Sequence, residues 1–229
     1  MVMAAGRGER MRPLTDACPK PLLEVHGKPL IQWQLEKLAA QGFDPVVVNT
    51  AWLGEQIEAR YAQRAPGLPE VLWSREGRDF GGALETAGGI ARALPLLADV
   101  FWVTASDNFV PQFDFARAAF ERFAASGRQA HLWLVENPPH HPGGDFGITG
   151  EGLAVRDAPR RYTYASIGLF RQSFFAGVPH GNPEGKKIAL LTLLLEAMQR
   201  GEVSAEVYRG AWTDVGTPER LANLQEEKP

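Results

Sequence analysis

The sequence predicts an α/β protein, with a mostly parallel sheet covered by helices on both faces and a small antiparallel excursion. Three observations carry this. Residues 46–49 and Val100–Ala105 are nearly continuous apolar runs of strand length, as expected of strands buried on both sides. Segments of helical period separate such runs, the alternation that marks βαβ units. From Ala130 the period changes to two, which marks the excursion.

Taken in order, residues 1–3 form a first strand, short for a central place in the sheet, so more strand residues are expected upstream. Pro29 opens a helix with Leu30, Ile31, Leu35 and Leu38 on one side and Gly42 as its stop. Leu53, Ile57 and Tyr61 recur at i, i+4 and i+8, Leu84, Ile90 and Leu94 mark another helix, and residues 113–125 give one more before Gly127. In the excursion, Ala130, Leu132 and Leu134 alternate, Gly150-Glu151-Gly152 makes a turn, and short strands fall within 161–170. A strongly apolar helix over 188–200 stops at Gly201, and strands return at 203–208 and 211–215. Thr217-Pro218 starts a last helix, with Thr as N-cap and Pro at its first position. Trp33, Trp102 and Trp133 lie in apolar-patterned segments and read as core. With no repeat or long linker, residues 1–229 read as a single domain.

Composition bounds the function. A chain of 229 residues, 45% hydrophobic and 22% charged, can bury a sizeable core. Its net charge of −3 gives no basic field for duplex nucleic acid. Apolar stretches such as 188–195 fall far short of the roughly 20 residues of a membrane span. Cys18 is the only cysteine, so no internal disulfide forms; the opening lacks signal-peptide character, and a cytoplasmic location is expected. Oligomeric state is not legible.

The chemistry is concentrated at the start. Residues 4–15, Ala-Ala-Gly-Arg-Gly-Glu-Arg-Met-Arg-Pro-Leu-Thr, set two glycines where backbone amides can approach phosphate oxygens, with Arg7, Arg10 and Arg12 adding positive charge. Arginine can fork two phosphate oxygens, so a triphosphate is the natural guest. The dinucleotide fingerprint fails at Met11, where it needs a third glycine, and no P-loop occurs. By itself this loop is equally a polar glycine-rich turn. In Cys18-Pro-Lys-Pro-Leu22, prolines hold the backbone extended around Lys20 and present it in one direction, although alone it reads as a solvated loop residue.

Together with Gly27-Lys-Pro-Leu-Ile31, these ordered motifs resemble the sugar-1-phosphate nucleotidyltransferase family. Within it, the chain is similar over nearly its whole length to short, single-domain uridylyltransferases acting on N-acetylmuramate 1-phosphate in bacterial cell-wall recycling. That closer likeness lies in residues 51–54, 84–90, 137–146 and 208–217. The resemblance implies a Rossmann-like, glycosyltransferase-A-like fold, with an NTP-binding part over about 1–110 and a sugar-binding part over about 111–229. It implies that Ala4, Ala5, Gly6 and Gly8 bind the nucleotide, that the loop over 6–10 wraps its phosphates with the base against the opening loop, that Lys20 contacts the reacting phosphates, and that Arg10 pairs with outgoing pyrophosphate. Thr86, Gly88 and Gly89 would lie against the base. Asp107, at the carboxyl end of an apolar strand, and Asp214, in Trp-Thr-Asp-Val-Gly-Thr, would hold Mg²⁺; each alone is also an ordinary turn or cap residue.

For the sugar, the resemblance implies Asp145 and Gly147, with Ser166 facing it; a tight glycine turn with a solvated Asp145 is the alternative. The family's Glu-Lys-Pro segment is absent at residues 158–162, leaving Arg160 or Arg161 to replace its lysine. His140 and His141 are adjacent in a Pro/Gly-rich loop and read as solvated. The expected reaction joins UMP from UTP to N-acetylmuramate 1-phosphate and releases pyrophosphate. A mannose-1-phosphate guanylyltransferase shares the opening signature, and a non-catalytic nucleotide-sugar binding protein is the alternative from another class.

Overall fold

A computed structural model describes residues 1–226, and in it the chain divides into two compact units. The first gathers residues 1–84, 104–115 and 211 onward; the second holds 85–103 and 116–210. Among the described residues, no helix is long and apolar enough to cross a membrane.

In the first unit, the two-residue strand Val2–Met3 runs parallel to both its neighbours. Val2 pairs with Val48 on one side and Thr104 on the other, and Met3 with Asn49 and Ala105. Strand Val46–Thr50 is buried at every position and pairs in parallel with Val71–Arg75. Val2 has no exposed surface. The short first strand is thus central, as its sequence implied. Helix Leu30–Ala40 buries Leu30, Ile31, Gln34, Leu35 and Leu38. Gly42 beyond it takes φ of 74°, and its N–H reaches the Ala39 carbonyl at 2.9 Å. The last helix, Pro218–Glu226, starts as expected, the Thr217 hydroxyl accepting the Arg220 N–H at 3.3 Å. Met11, Val25, Leu30, Phe109, Val215 and Leu224 form one buried cluster. Each such side chain contributes about 1.5–3 kcal/mol by burial, enough to anchor the opening loop, the 109 and 215 segments and the final helix together.

In the second unit, strand Thr163–Arg171 pairs antiparallel with Ala130–Val135, and Val203–Val207 pairs with the latter in parallel. Gly147–Ile148 and Ala154–Val155 form a hairpin whose turn holds Gly150 and Gly152. The two antiparallel pairings are the excursion. Trp102 and Trp133, both buried, pack with ring centroids 4.7 Å apart. Helix Leu190–Gln199 buries Leu190, Leu194, Ala197 and Met198.

Several elements differ from expectation, and the short strands read within 161–170 are one strand, Thr163–Arg171. The helix read over 113–125 spans Arg117–Ala125. Phe113 and Phe115 are buried around exposed Asp114, a period of two that requires extended chain, and their rings meet edge to face at 5.0 Å. Strand Val71–Arg75 and the short helix Glu76–Phe80 carried no clear sequence signal, because Val71, Leu72 and Trp73 are all only half-buried and show neither alternation nor a fully buried run.

Candidate active site

The opening loop leaves strand Val2–Met3 with the Ala4 N–H bonded to Asn49 Oδ1 at 2.7 Å. Gly8 takes a left-handed conformation, φ 66°, and a Cβ there would stand 3.1 Å from Thr15 Cγ2 and 3.3 Å from Lys20 Cβ. The Thr15 hydroxyl, fully buried, donates to the Gly8 carbonyl at 2.8 Å. Glycine is therefore what lets the loop lie directly on Lys20.

The three arginines do not act alike. Arg7 donates to the Thr15 carbonyl and to Asp16, both at 2.8 Å, and its guanidinium lies 3.7 Å over the Trp52 ring. Trp52 Nε1 donates to the same carbonyl at 2.9 Å. Arg12 meets Asp16 at 2.9 Å. The Arg7 hydrogen bond, aided by Arg12, holds the exposed Asp16 carboxyl below its usual range. Arg7 thus braces the loop, whereas Arg10 is exposed on the short turn Glu9–Met11.

Lys20 begins a 3₁₀ turn after Pro19, and its ammonium forms an ion pair with Asp107 while the side chain stays only 12% exposed. Asp107 lies two residues beyond the end of strand Val100–Ala105. The preceding residue, Ser106, is buried and donates its N–H to the Met3 carbonyl at 3.0 Å. Beyond Asp107, Asn108–Phe109 pairs antiparallel with Thr213–Asp214, and the Val215 N–H reaches the Asp107 carbonyl at 2.9 Å. Asp214 in turn pairs with Arg220, whose Nη1 also donates to the Asp214 carbonyl at 3.0 Å. Buried Gln34 donates to the Asn108 carbonyl at 2.7 Å and steadies this turn from the helix side. So the structure packs Gly8 on Lys20, pairs Lys20 with Asp107, and brings the Asp214 segment beside Asp107 through the backbone. Two carboxylates give oxygen ligands that suit a hard cation retaining waters and taking substrate phosphate oxygens, not an all-protein cage. Among the described residues, no group of three or more His, Cys, Asp or Glu could hold a metal.

In the second unit, Thr86, Gly88 and Gly89 lie in helix Glu85–Ala93. Thr86 is exposed; Gly88 and Gly89 are buried. The Gly88 N–H donates to the Ile188 carbonyl at 3.1 Å, and its carbonyl accepts from buried Asn182 at 3.1 Å. Asp145 accepts the Tyr164 N–H at 2.8 Å and meets the His141 ring at 3.1 Å, so His141 is engaged where solvation was expected. At Gly147 a Cβ would fall 2.2 Å from Ala158 Cβ, a close approach only glycine permits. Ser166 lies at φ 55° where the ladder passes from Tyr164–Leu134 to Ile167–Trp133, so Ala165 and Ser166 bulge from the strand. Arg160 bonds Glu136 at 2.8 Å, and the Arg161 carbonyl accepts from Asn137 at 3.0 Å.

Sequence reasoning missed Asn49, Glu76, Trp52 and Arg220. The signal available for Trp52 was a large aromatic in a short loop near a cationic motif; for the others there was none.

The fold is of the Rossmann-like α/β class. A Bacillus anthracis chain ascribed glucose-1-phosphate thymidylyltransferase activity and crystallised with sucrose matches it with a TM-score of 0.80, at 19% identity, covering 98% of this chain and 92% of that one. The chain belongs to the nucleotidyl transferase family, whose model matches residues 1–228. An N-acetylmuramate alpha-1-phosphate uridylyltransferase of Neisseria meningitidis serogroup B is 42% identical to it, over 98% of this chain and 96% of the relative. A protein of the same name from Caulobacter vibrioides is 33% identical, over 96% and 92%.

Proposed function

We propose that the protein transfers UMP from UTP to N-acetylmuramate 1-phosphate in the cytoplasm, giving the nucleotide sugar and pyrophosphate. The observation that carries this reading is the cluster in which Lys20 meets Asp107, beside Asp214, under a glycine loop pressed onto Lys20. Its support from likeness is the pair of uridylyltransferase relatives matched along nearly their whole length.

The sugar phosphate oxygen is anionic near neutral pH and needs no strong general base, so positioning and charge must supply most of the rate. That oxygen attacks the α-phosphorus in line; the new P–O bond forms as the bond to pyrophosphate breaks. Backbone amides of Ala5, Gly6 and Gly8 cradle the phosphates, while the Ala4 N–H, taken by Asn49, fixes the loop behind them. Lys20 balances charge on the transferring group, and exposed Arg10 pairs with pyrophosphate as it leaves. Asp107 and Asp214 would hold Mg²⁺, which when bound supplies Lewis-acid charge neutralisation to the phosphates. Thr86, Gly88 and Gly89 serve the base. Asp145, Gly147 and the bulged Ser166 serve the sugar, the left-handed Ser166 being the kind of strained residue that clusters at ligand sites.

The test is pyrophosphate release with Mg²⁺ across UTP, GTP, CTP and dTTP against the 1-phosphates of N-acetylmuramate, GlcNAc, glucose and mannose. Release confined to UTP with N-acetylmuramate 1-phosphate is expected. Release with GTP and mannose 1-phosphate would replace the reading by a guanylyltransferase, and silence throughout would leave a binding protein.

A further inference from the structure

A carboxylate lies completely buried behind the opening loop. Glu76 has no exposed surface, and each of its oxygens receives a hydrogen bond: Oε1 from Asn49 Nδ2 at 2.6 Å, Oε2 from the Leu84 N–H at 2.8 Å. Asn49, equally buried, uses its Oδ1 to accept the Ala4 N–H at 2.7 Å. The short helix that carries Glu76 is pressed against the Ala51 backbone, where a Cβ on Gly77 would stand 2.7 Å from Ala51 Cα. The relay therefore starts from a fixed point.

Its polarity is also fixed. A carboxylate only accepts, so Glu76 obliges Asn49 to turn its amide nitrogen inward, which leaves the amide oxygen for Ala4. We propose that Glu76 and Asn49 are positioning residues that orient the Ala4 amide and tie it to Leu84, and so hold the phosphate-binding loop ready for the nucleotide. The proposal rests on the nucleotidyl-transfer reading above. Glu76→Gln sets a donor against a donor in every arrangement: its NH₂ faces that of Asn49, or faces the Leu84 N–H, or Asn49 flips and sets its nitrogen against the Ala4 N–H. Asn49→Asp sets two carboxylates together. The double variant restores these three hydrogen bonds. Its amide nitrogen at position 76 donates to the carboxylate at position 49, that carboxylate's other oxygen accepts from Ala4, and the amide oxygen at position 76 accepts from Leu84.

The experiment is a double-mutant cycle read by steady-state kinetics and by amide exchange at Ala4 and Leu84. Each single substitution is expected to raise KM for the nucleotide about tenfold or more, the scale of a buried hydrogen bond lost beside an unpaired donor, with KM for the sugar phosphate unchanged. The double is expected to return to within about threefold of wild type, as coupled neighbours should. KM does not depend on how much enzyme is folded, so a merely structural loss would lower the apparent kcat and leave KM in place. Amide exchange needs no substrate: slow exchange at Ala4 and Leu84 in the wild type, fast at one or both in either single and slow again in the double, upholds the relay even if no NTP is turned over and the functional reading falls. Fast exchange at Ala4 in the wild type overturns the relay, as does a double no better than the singles, or an unchanged nucleotide KM in an active enzyme.

Discussion

At Lys20, one side chain joins the loop to the acidic cluster: Gly8 rests on its stem and Asp107 takes its charge. Lys20→Ala is expected to cost about 100-fold or more in kcat, the scale of one lost transition-state donor. Asp107→Asn, which keeps the shape and removes the charge, should lose activity comparably while its melting temperature stays near wild type; wild-type turnover in either folded variant would remove that residue from the chemistry. Lys20, Asp107 and Asp214 were singled out through the motifs of the family the sequence resembles, not by spacing, and that Lys20 meets Asp107 is visible only in the fold. Asn49 and Glu76 were not, because a polar residue ending an apolar strand and a glutamate in a charged stretch carry no signal until the fold encloses them. For Arg7 the charge was visible, but the Trp52 face and Asp16 that engage it were not tied to it by spacing.

At the level of elements, the hairpin of Gly147–Ile148 and Ala154–Val155 shows that glycines in one segment have different duties. Gly147→Ala is expected to destabilise the protein by about 1–3 kcal/mol, because its Cβ would overlap that of Ala158 and press on the Arg160 carbonyl at 3.0 Å. Gly150→Ala, whose Cβ meets nothing within 4 Å, should change stability by less than about 0.5 kcal/mol. Denaturant midpoints of the two variants check the contrast, and equal midpoints would refute it. Elements with a strong period were readable: helix Leu30–Ala40, strand Ala130–Val135 and helix Leu190–Gln199 lie where their apolar spacing put them. The bulge at Ala165 and Ser166 was not, since nothing in Thr-Tyr-Ala-Ser-Ile announces where a ladder will slip.

For the whole molecule, alkaline stability has an identifiable source. The Tyr61 hydroxyl is buried without a hydrogen-bond partner among the described residues, and burial pushes its pKa up to about 12. An unfolded tyrosine ionises near 10, so from about pH 10 to 12 the unfolded chain has released a proton that the folded one still holds, and stability falls as pH rises through that window. Tyr61→Phe should lessen this loss and melt no lower than wild type near neutral pH, because the orphaned hydroxyl is gone. The part due to Tyr164 and Tyr208, whose pKa values burial also raises, stays in place; an unchanged alkaline slope would refute the assignment. The α/β class was legible from the alternation of runs, but the division into two discontinuous units was not, because it depends on which distant segments pair. The most distant of these is Thr213–Asp214 beside Asn108–Phe109. Domains that emerge first from the ribosome generally fold first. Here the unit that begins the chain receives its second carboxylate only when the closing residues have been synthesised, so the part translated first is the part completed last, and a polypeptide interrupted before Asp214 lacks half of its acidic pair however well its opening half has folded.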